Sequence, residues 1–197
     1  MKLLTKRREP LQFMLWCAIL GMTLTFLFLT LMYVLRKSVG TAPWESFVFP
    51  KVFGISTFFI VFSSNTLHEA NKAFGKEDFF TFRYLLGATL FFGVLFIFTQ
   101  WLGWGQMQTQ GFPLVKGQVS GGFIYVISGL HVLHLVGGMV ALLWVFFQVI
   151  RRTNYVDAFV YAVNPPNQLR LRLVSIYWHF VDILWIYLYL FFSYHHR

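Results

Sequence analysis

Five apolar stretches, each long enough to cross a membrane as a helix, dominate this chain of 197 residues. An α-helix rises about 1.5 Å per residue and needs roughly 20 apolar residues to span the hydrocarbon core of a bilayer. The sequence supplies stretches of this length at about residues 12–35, 51–71, 84–104, 121–149 and 173–194. We therefore predict an all-α, polytopic membrane protein with five transmembrane helices, which form a single membrane domain over residues 1–197.

The composition favours the same class of protein. Hydrophobic residues make up 57% of the chain and charged residues only 12%, whereas a soluble domain has about 25% charged residues. The net charge of +9 comes from basic residues that lie between the apolar stretches, an arrangement that favours contact with anionic lipids over nucleic acid. Cys17 is the single cysteine, so a disulfide framework and a multi-cysteine metal site are excluded.

The basic residues also predict the orientation in the membrane. The apolar stretch after the basic start MKLLTKRREP is too long for a signal peptide and lacks an Ala-x-Ala cleavage pattern, so we expect an uncleaved first helix. With the N-terminus inside, 11 of the 16 Lys and Arg residues fall in inner segments and 5 in outer segments. By the positive-inside rule this asymmetry predicts an inner N-terminus and an outer C-terminus. The inner face would then carry a polar and basic group made of His68, Glu69, Lys72, Lys76, Arg83, Arg151 and Arg152.

Four polar side chains lie deep inside the last two apolar stretches: His131 and His134 in the fourth, and His179 and Asp182 in the fifth. Within each pair the residues are three apart, so they share one face of a helix. An aspartate at the centre of a membrane helix costs about 2.5–3.5 kcal/mol on insertion scales, and it normally finds a partner or stays protonated. We expect Asp182 to face the fourth helix or another protein chain, with His134 as the candidate partner at matching depth.

Three interpretations of this group remain open on the residues alone. The histidines could ligate a haem or a metal, although two histidines three apart on one helix cannot be opposite axial ligands of a single haem. The group could relay protons, although the first and third apolar stretches contain no Asp, Glu, His or Lys in their interiors. We favour the third, in which the four side chains fix helix packing through hydrogen bonds worth about 0.6 kcal/mol each.

Two segments near the C-terminus resemble a known family. The stretches GFIYVISGLHVLHLVGGMVALLWV (residues 122–145) and YWHFVDILWIYLYL (residues 177–190) resemble the last two helices of subunit III of haem–copper oxidases. Upstream, PKVFGISTFFIVFSSNTLHEA and ATLFFGVLFIFTQWLGW are similar to the two helices before them. The resemblance covers nearly the whole chain from about residue 11.

The resemblance implies an accessory subunit III of a bacterial respiratory cytochrome c oxidase, without a catalytic centre of its own. Such a subunit supports the stability and proton uptake of the catalytic subunit during aerobic electron transport and oxygen reduction. Its implied partners are subunits I and II, which hold the haem and copper, together with membrane lipids including bound phospholipid and a larger respiratory supercomplex. The implied location is the bacterial inner membrane.

This chain departs from larger members of the family in two ways. It looks like a five-helix form without their first two helices, which form one wall of a lipid-filled cleft in those members. Many members also carry a glutamate in the helix that corresponds to the first one here, and Met22 or Gly21 stands at that place. Roles that depend on that cleft or that carboxylate are therefore not expected to transfer.

Other functions stay open as alternatives. Related proteins serve quinol oxidases and nitric oxide reductases, and the electron donor binds other subunits. An alternative of another class is a stand-alone transporter or a haem-bearing membrane anchor.

The uneven distribution of Lys and Arg residues between the two sides predicts the membrane topology. We expect cysteines placed by Lys76→Cys and Lys116→Cys to react with a membrane-impermeant thiol reagent from opposite sides of the membrane, because the two loops are predicted to lie on opposite faces. Labelling of both positions from the periplasmic side would contradict the five-span topology.

Overall fold

The structure is a computed structural model that describes residues 10–39, 49–113, 119–152 and 154–196. Within these ranges the chain forms six α-helices and no strand. They are α1 (Pro10–Val39), α2 (Val52–Gly75), α3 (Phe79–Thr109), α4 (Val119–Ile150), α5 (Tyr155–Val163) and α6 (Pro165–His195). The all-helical class predicted from the sequence is confirmed.

Four of the described helices, α1, α3, α4 and α6, are long and apolar enough to cross a membrane. The prediction of a polytopic membrane protein therefore agrees with the structure. The second predicted span, 51–71, corresponds to α2, which is not among the four. Its middle carries the polar run Ser63–Thr66, and its last turns carry His68, Glu69 and Lys72. The fifth crossing and the orientation remain predictions.

The segment between α4 and α6 differs from the expected long loop. Residues 155–163 form the short helix α5, and α6 begins at Pro165, eight residues before the predicted start. Pro165 and Pro166 occupy the first helical positions, where a missing N–H costs no hydrogen bond. The predicted apolar stretch 173–194 lies within α6, and the helix extends beyond it at the N-terminal end because its first two turns carry polar residues.

The turn between α2 and α3 has a defined geometry. Glu77 has a φ of 61°, in the left-handed region that few non-glycine residues adopt. Asp78 caps α3 by accepting a hydrogen bond from the Thr81 backbone N–H at 3.1 Å. The hydrogen bonds from Thr81 hold the pKa of the Asp78 carboxyl below its usual range, so this cap is intact at neutral pH and is lost as the pH falls through that lowered pKa.

Neighbouring helices in the bundle are mainly antiparallel. Phe53, at the start of α2, touches Gly103 near the end of α3, whereas Thr66 towards the end of α2 bonds Thr89 in the first half of α3. α2 also runs antiparallel to α6. α1 lies parallel to α6. A hydrogen bond of 3.0 Å between the Thr30 and Tyr187 hydroxyls joins the two helices.

At Gly103 the backbone of α3 packs directly against the ring of Phe53 in α2. A Cβ atom at this position would lie 2.7 Å from the ring of Phe53, closer than side-chain atoms can approach. Phe53 is fully buried and cannot swing away, because its ring stacks on Phe49 at 4.9 Å and lies 6.2 Å from the ring of Trp185. A residue without a side chain is therefore required here.

We predict that Gly103→Ala lowers the free energy of unfolding by about 1–3 kcal/mol, the usual cost of overpacking a filled core. Reversible unfolding in mixed micelles measures this change. Gly105→Ala is the matched control, because a Cβ there meets nothing within 4 Å and should leave stability unchanged or slightly higher. Equal stability of the two variants would show that the helices are not in contact at Gly103.

Candidate functional site: polar groups between the helices

α2 presents a row of small polar side chains to its neighbours. The row, which we call the α2 seam, consists of Ser56, Thr57, Ser63, Ser64, Thr66 and Asn71. Each member makes a hydrogen bond to a side chain or carbonyl on α3 or α6. Because lipid offers no competing hydrogen bonds, such side chains join membrane helices in specific pairs.

Ser63 joins three helices through one hydroxyl. Its Oγ donates to the Thr89 carbonyl oxygen of α3 at 3.1 Å and accepts from the Trp178 indole Nε1 of α6 at 3.2 Å. Ser63 is fully buried and Trp178 nearly so. The bond thus gives a large buried indole the partner that its N–H requires.

The same pattern recurs towards the other end of α2. The Trp185 indole of α6 donates to Thr57 Oγ1 at 3.0 Å, and the Gln100 amide of α3 donates to Ser56 Oγ at 2.9 Å. Gln100 Oε1 is buried without a partner among the described residues. The two tryptophans of the C-terminal motif are thus held by hydroxyls of α2.

The sequence-predicted residues His179 and Asp182 face the α2 seam. The Ser64 hydroxyl lies 2.8 Å from His179 Nδ1. It also lies beside Asp182, yet neither carboxylate oxygen of Asp182 has a hydrogen bond within the described ranges. Asp182 is 2% exposed, so α2 and α6 shield it from the surroundings.

The other pair, His131 and His134, belongs to α4. His131 is fully buried between the rings of Phe26, Phe96 and Trp185, with centroid distances of 6.4, 5.8 and 5.1 Å. Neither of its ring nitrogens has a hydrogen-bond partner in the described part of the chain.

His134 is tied to its own helix. Its Nδ1 lies 2.7 Å from the Leu130 carbonyl oxygen, and its own carbonyl oxygen accepts from the Tyr177 hydroxyl of α6 at 2.9 Å. The candidate pairing of His134 with Asp182 is not formed among the described residues. The four predicted residues therefore occupy two separate environments. Within the described ranges no three His, Cys, Asp or Glu side chains come together as a metal site would need.

Two members of the predicted inner-face group, Arg83 and Arg152, make contacts between different segments of the chain. The Arg83 guanidinium of α3 donates to the Arg152 carbonyl oxygen after α4, and the Arg152 guanidinium lies 4.4 Å above the ring of Tyr161 in α5. Glu69 and Lys72 form an exposed pair at 2.7 Å. The remaining members, His68, Lys76 and Arg151, are exposed.

A bundle of long apolar helices joined by buried hydroxyls and amides defines the class of this chain as an all-helical, polytopic membrane protein. Its family follows from comparison with known sequences. The model of the family described as cytochrome c oxidase subunit III matches residues 39–196, which is most of the chain. The chain belongs to this family, and the resemblance seen in its two C-terminal motifs is confirmed.

Individual relatives agree with the family assignment. The chain is 32% identical over 127 residues to a probable cytochrome c oxidase subunit 3 of Nocardia farcinica, covering 64% of this chain and 58% of that protein. It is 29% identical over 135 residues to cytochrome c oxidase subunit 3 of Thermostichus vulcanus, covering 68% and 61%. It is 24% identical over 163 residues to cytochrome bo(3) ubiquinol oxidase subunit 3 of Buchnera aphidicola, covering 81% and 77%. The chain thus spans about three fifths of the length of the first two relatives.

We predict that Ser63→Ala lowers the free energy of unfolding by about 1–2 kcal/mol, because the buried Trp178 N–H loses its partner and α2 loses its hydrogen bond to the Thr89 carbonyl. Reversible unfolding in micelles measures the change. Ser38→Ala is the matched control, since the exposed Ser38 hydroxyl bonds only to Leu35 of its own helix and its loss should cost little. An equal effect of the two substitutions would contradict the role assigned to Ser63.

Proposed function

We propose that this chain is the accessory subunit III of a bacterial respiratory haem–copper oxidase, bound to subunits I and II in the inner membrane. The observation that carries the proposal is the family match over residues 39–196, which includes helices α2–α6 and both C-terminal motifs. In this role the chain packs beside the subunit that reduces oxygen and contributes no redox centre of its own.

We further propose cytochrome c as the electron donor of the assembled enzyme. The Nocardia and Thermostichus relatives, named cytochrome c oxidase subunits, support this choice. The second candidate is a quinol oxidase, which is favoured by the longer alignment with the Buchnera relative. A copper-binding subunit II that co-purifies with the chain would support the first candidate, and its absence would support the second.

The contribution of the chain to turnover is proposed to be stability and proton uptake at the inner face. The segments 72–83 and 151–172, which contain the connections between α2 and α3 and between α4 and α6, concentrate basic residues there. Such charges shape the local field through which protons and their carriers approach. The contact between Arg83 and Arg152 joins these two segments.

The test compares the oxidase with and without this chain at matched haem content. We expect unchanged haem and copper spectra, a lower rate of oxygen consumption when proton delivery from the inner side is limiting, and a shorter active lifetime during turnover. Immediate loss of a haem signal would show instead that the chain holds a cofactor. Equal rates and equal lifetimes would limit its role to assembly.

Asp182 offers a separate test of the packing role proposed for His131, His134, His179 and Asp182. We predict that Asp182→Leu lowers the amount of chain retained in the complex, because Ser64 loses its polar neighbour. Asp182→Asn should retain normal amounts, because a neutral amide keeps a polar group of the same size beside Ser64. Subunit stoichiometry after purification measures retention, with the exposed Ile183→Leu as control. Normal retention in both Asp182 variants together with abolished proton pumping would favour the relay interpretation.

A further inference from the structure

A cavity of about 540 Å³ lies where α2 ends, α5 crosses and α6 begins. Its polar lining consists of Asn71, Glu77, Gln168, Arg172, Ser175 and His179. Apolar side chains such as Phe74, Phe159 and Ile176 form the rest of the wall. The volume falls within the usual range of about 300–1,000 Å³ for small-molecule sites, and a mixed lining of this kind is typical of such sites.

Two opposite charges line this cavity without neutralising each other. Arg172 has no ion-pair or hydrogen-bond partner within the described ranges, and Glu77 accepts a single hydrogen bond, from the Tyr155 hydroxyl at 3.3 Å. Glu77 lies in the turn after α2, where its own backbone is in the left-handed region. Arg172 lies in the second turn of α6. A ligand that carries both an anionic and a cationic group would complement both residues.

The neutral polar groups of the lining are mostly occupied. Asn71 and Ser175 bond each other, with the amide nitrogen 3.0 Å from the hydroxyl. His179 binds Ser64 through Nδ1, which leaves Nε2 without a partner among the described residues. Arg172 and the free His179 nitrogen are therefore the groups available to an anion, and the Glu77 carboxylate is the group available to a cation.

The position along α6 indicates where such a ligand would come from. The apolar part of the helix begins at Leu173, directly after Arg172, and Pro165–Arg172 are mainly polar. The cavity thus lies at the level where the chain passes from water into hydrocarbon, the depth at which phospholipid headgroups lie.

We propose that this cavity binds the headgroup of an aminophospholipid, with its phosphate ester at Arg172 and its primary ammonium at Glu77. The apolar wall contributed by Phe74, Phe159 and Ile176 lies against the glycerol and the first methylenes of the acyl chains. The site belongs to α2, α5 and α6, and is separate from the cleft that the first two helices form in larger family members. It depends on neither the electron donor nor the proposed role in turnover.

The experiment uses the purified complex containing the full chain, reconstituted in nanodiscs with equal amounts of phosphatidylethanolamine, phosphatidylglycerol and phosphatidylcholine. After detergent washing, native mass spectrometry counts the lipids retained per chain. We expect one phosphatidylethanolamine per chain, retained about tenfold more than the other two lipids, because one charge-assisted hydrogen bond corresponds to about this factor. Phosphatidylglycerol lacks the ammonium group, and the quaternary ammonium of phosphatidylcholine cannot donate to Glu77.

Two variants probe the two charges. Arg172→Gln should lower retention of phosphatidylethanolamine about tenfold, whereas Glu77→Gln should abolish the preference over phosphatidylglycerol and leave retention of phosphatidylglycerol unchanged. Arg151→Gln is the matched control, since Arg151 is exposed in the same region but outside the cavity. Equal retention of the three lipids by the unmodified chain, or an equal effect of Arg172→Gln and Arg151→Gln, would overturn the proposal.

A further experiment distinguishes a bound lipid from a soluble ligand that carries the same charged groups. Free phosphoethanolamine is added to the washed complex at millimolar concentration. We expect it not to displace the retained lipid, because it lacks the glycerol and methylenes that contact the apolar wall. Complete displacement would overturn the assignment to a lipid and assign the site to a soluble phosphate ester.

Discussion

The hydroxyl of Ser63, shared between Thr89 and Trp178, is the contact on which the arrangement of α2, α3 and α6 depends. In water a serine at this position would contribute little to the stability of the helix packing, since solvent would offer equivalent hydrogen bonds to the same groups. Between helices in a bilayer the N–H of Trp178 has no alternative partner. The packing register of α2 against α6 that brings Ser63 to this N–H is therefore preferred over other registers. Each hydrogen bond of this kind is worth only about 0.6 kcal/mol on average. Its main effect is therefore to select one packing among several apolar ones of similar energy.

Apolar length was sufficient to predict α1, α3 and α4, because each is a long, nearly continuous hydrophobic run. It was not sufficient for α5 or for the start of α6. Tyr155–Val163 is too short to span a membrane, and the first two turns of α6 contain Asn167, Gln168, Arg170 and Arg172. The signal for the earlier start was the Pro165–Pro166 pair, which marks the first turn of a helix as well as it marks a loop.

The polar residues within the spans show a second limit of prediction from the sequence. The depth of Asp182 and His134 in their helices could be counted along the sequence, but depth does not determine which way each side chain points around its helix axis. Asp182 points to α2, beside Ser64, whereas His134 bonds the Leu130 carbonyl of its own helix. The small polar residues of α2 that hold this part of the bundle include the run Ser63–Thr66, but the run itself does not identify their partners. The specific partners, Trp178 and Trp185, depend on the rotation of α6 and become visible only in three dimensions.

The α2 seam and the cavity between α2, α5 and α6 are physically coupled, because α2 contributes to both. Asn71 is the last member of the seam, and its bond to Ser175 fixes the end of α2 against α6 at the wall of the cavity. Ser64 holds His179, which lines that cavity. A displacement of α2 by a fraction of an ångström would therefore alter both the packing of the tryptophans and the separation of Glu77 from Arg172. In this arrangement a ligand that binds both charges stabilises the same α2–α6 contact as the seam does. Its binding would raise the stability of the bundle by RT ln(1 + [L]/Kd), an amount that grows with the ligand concentration.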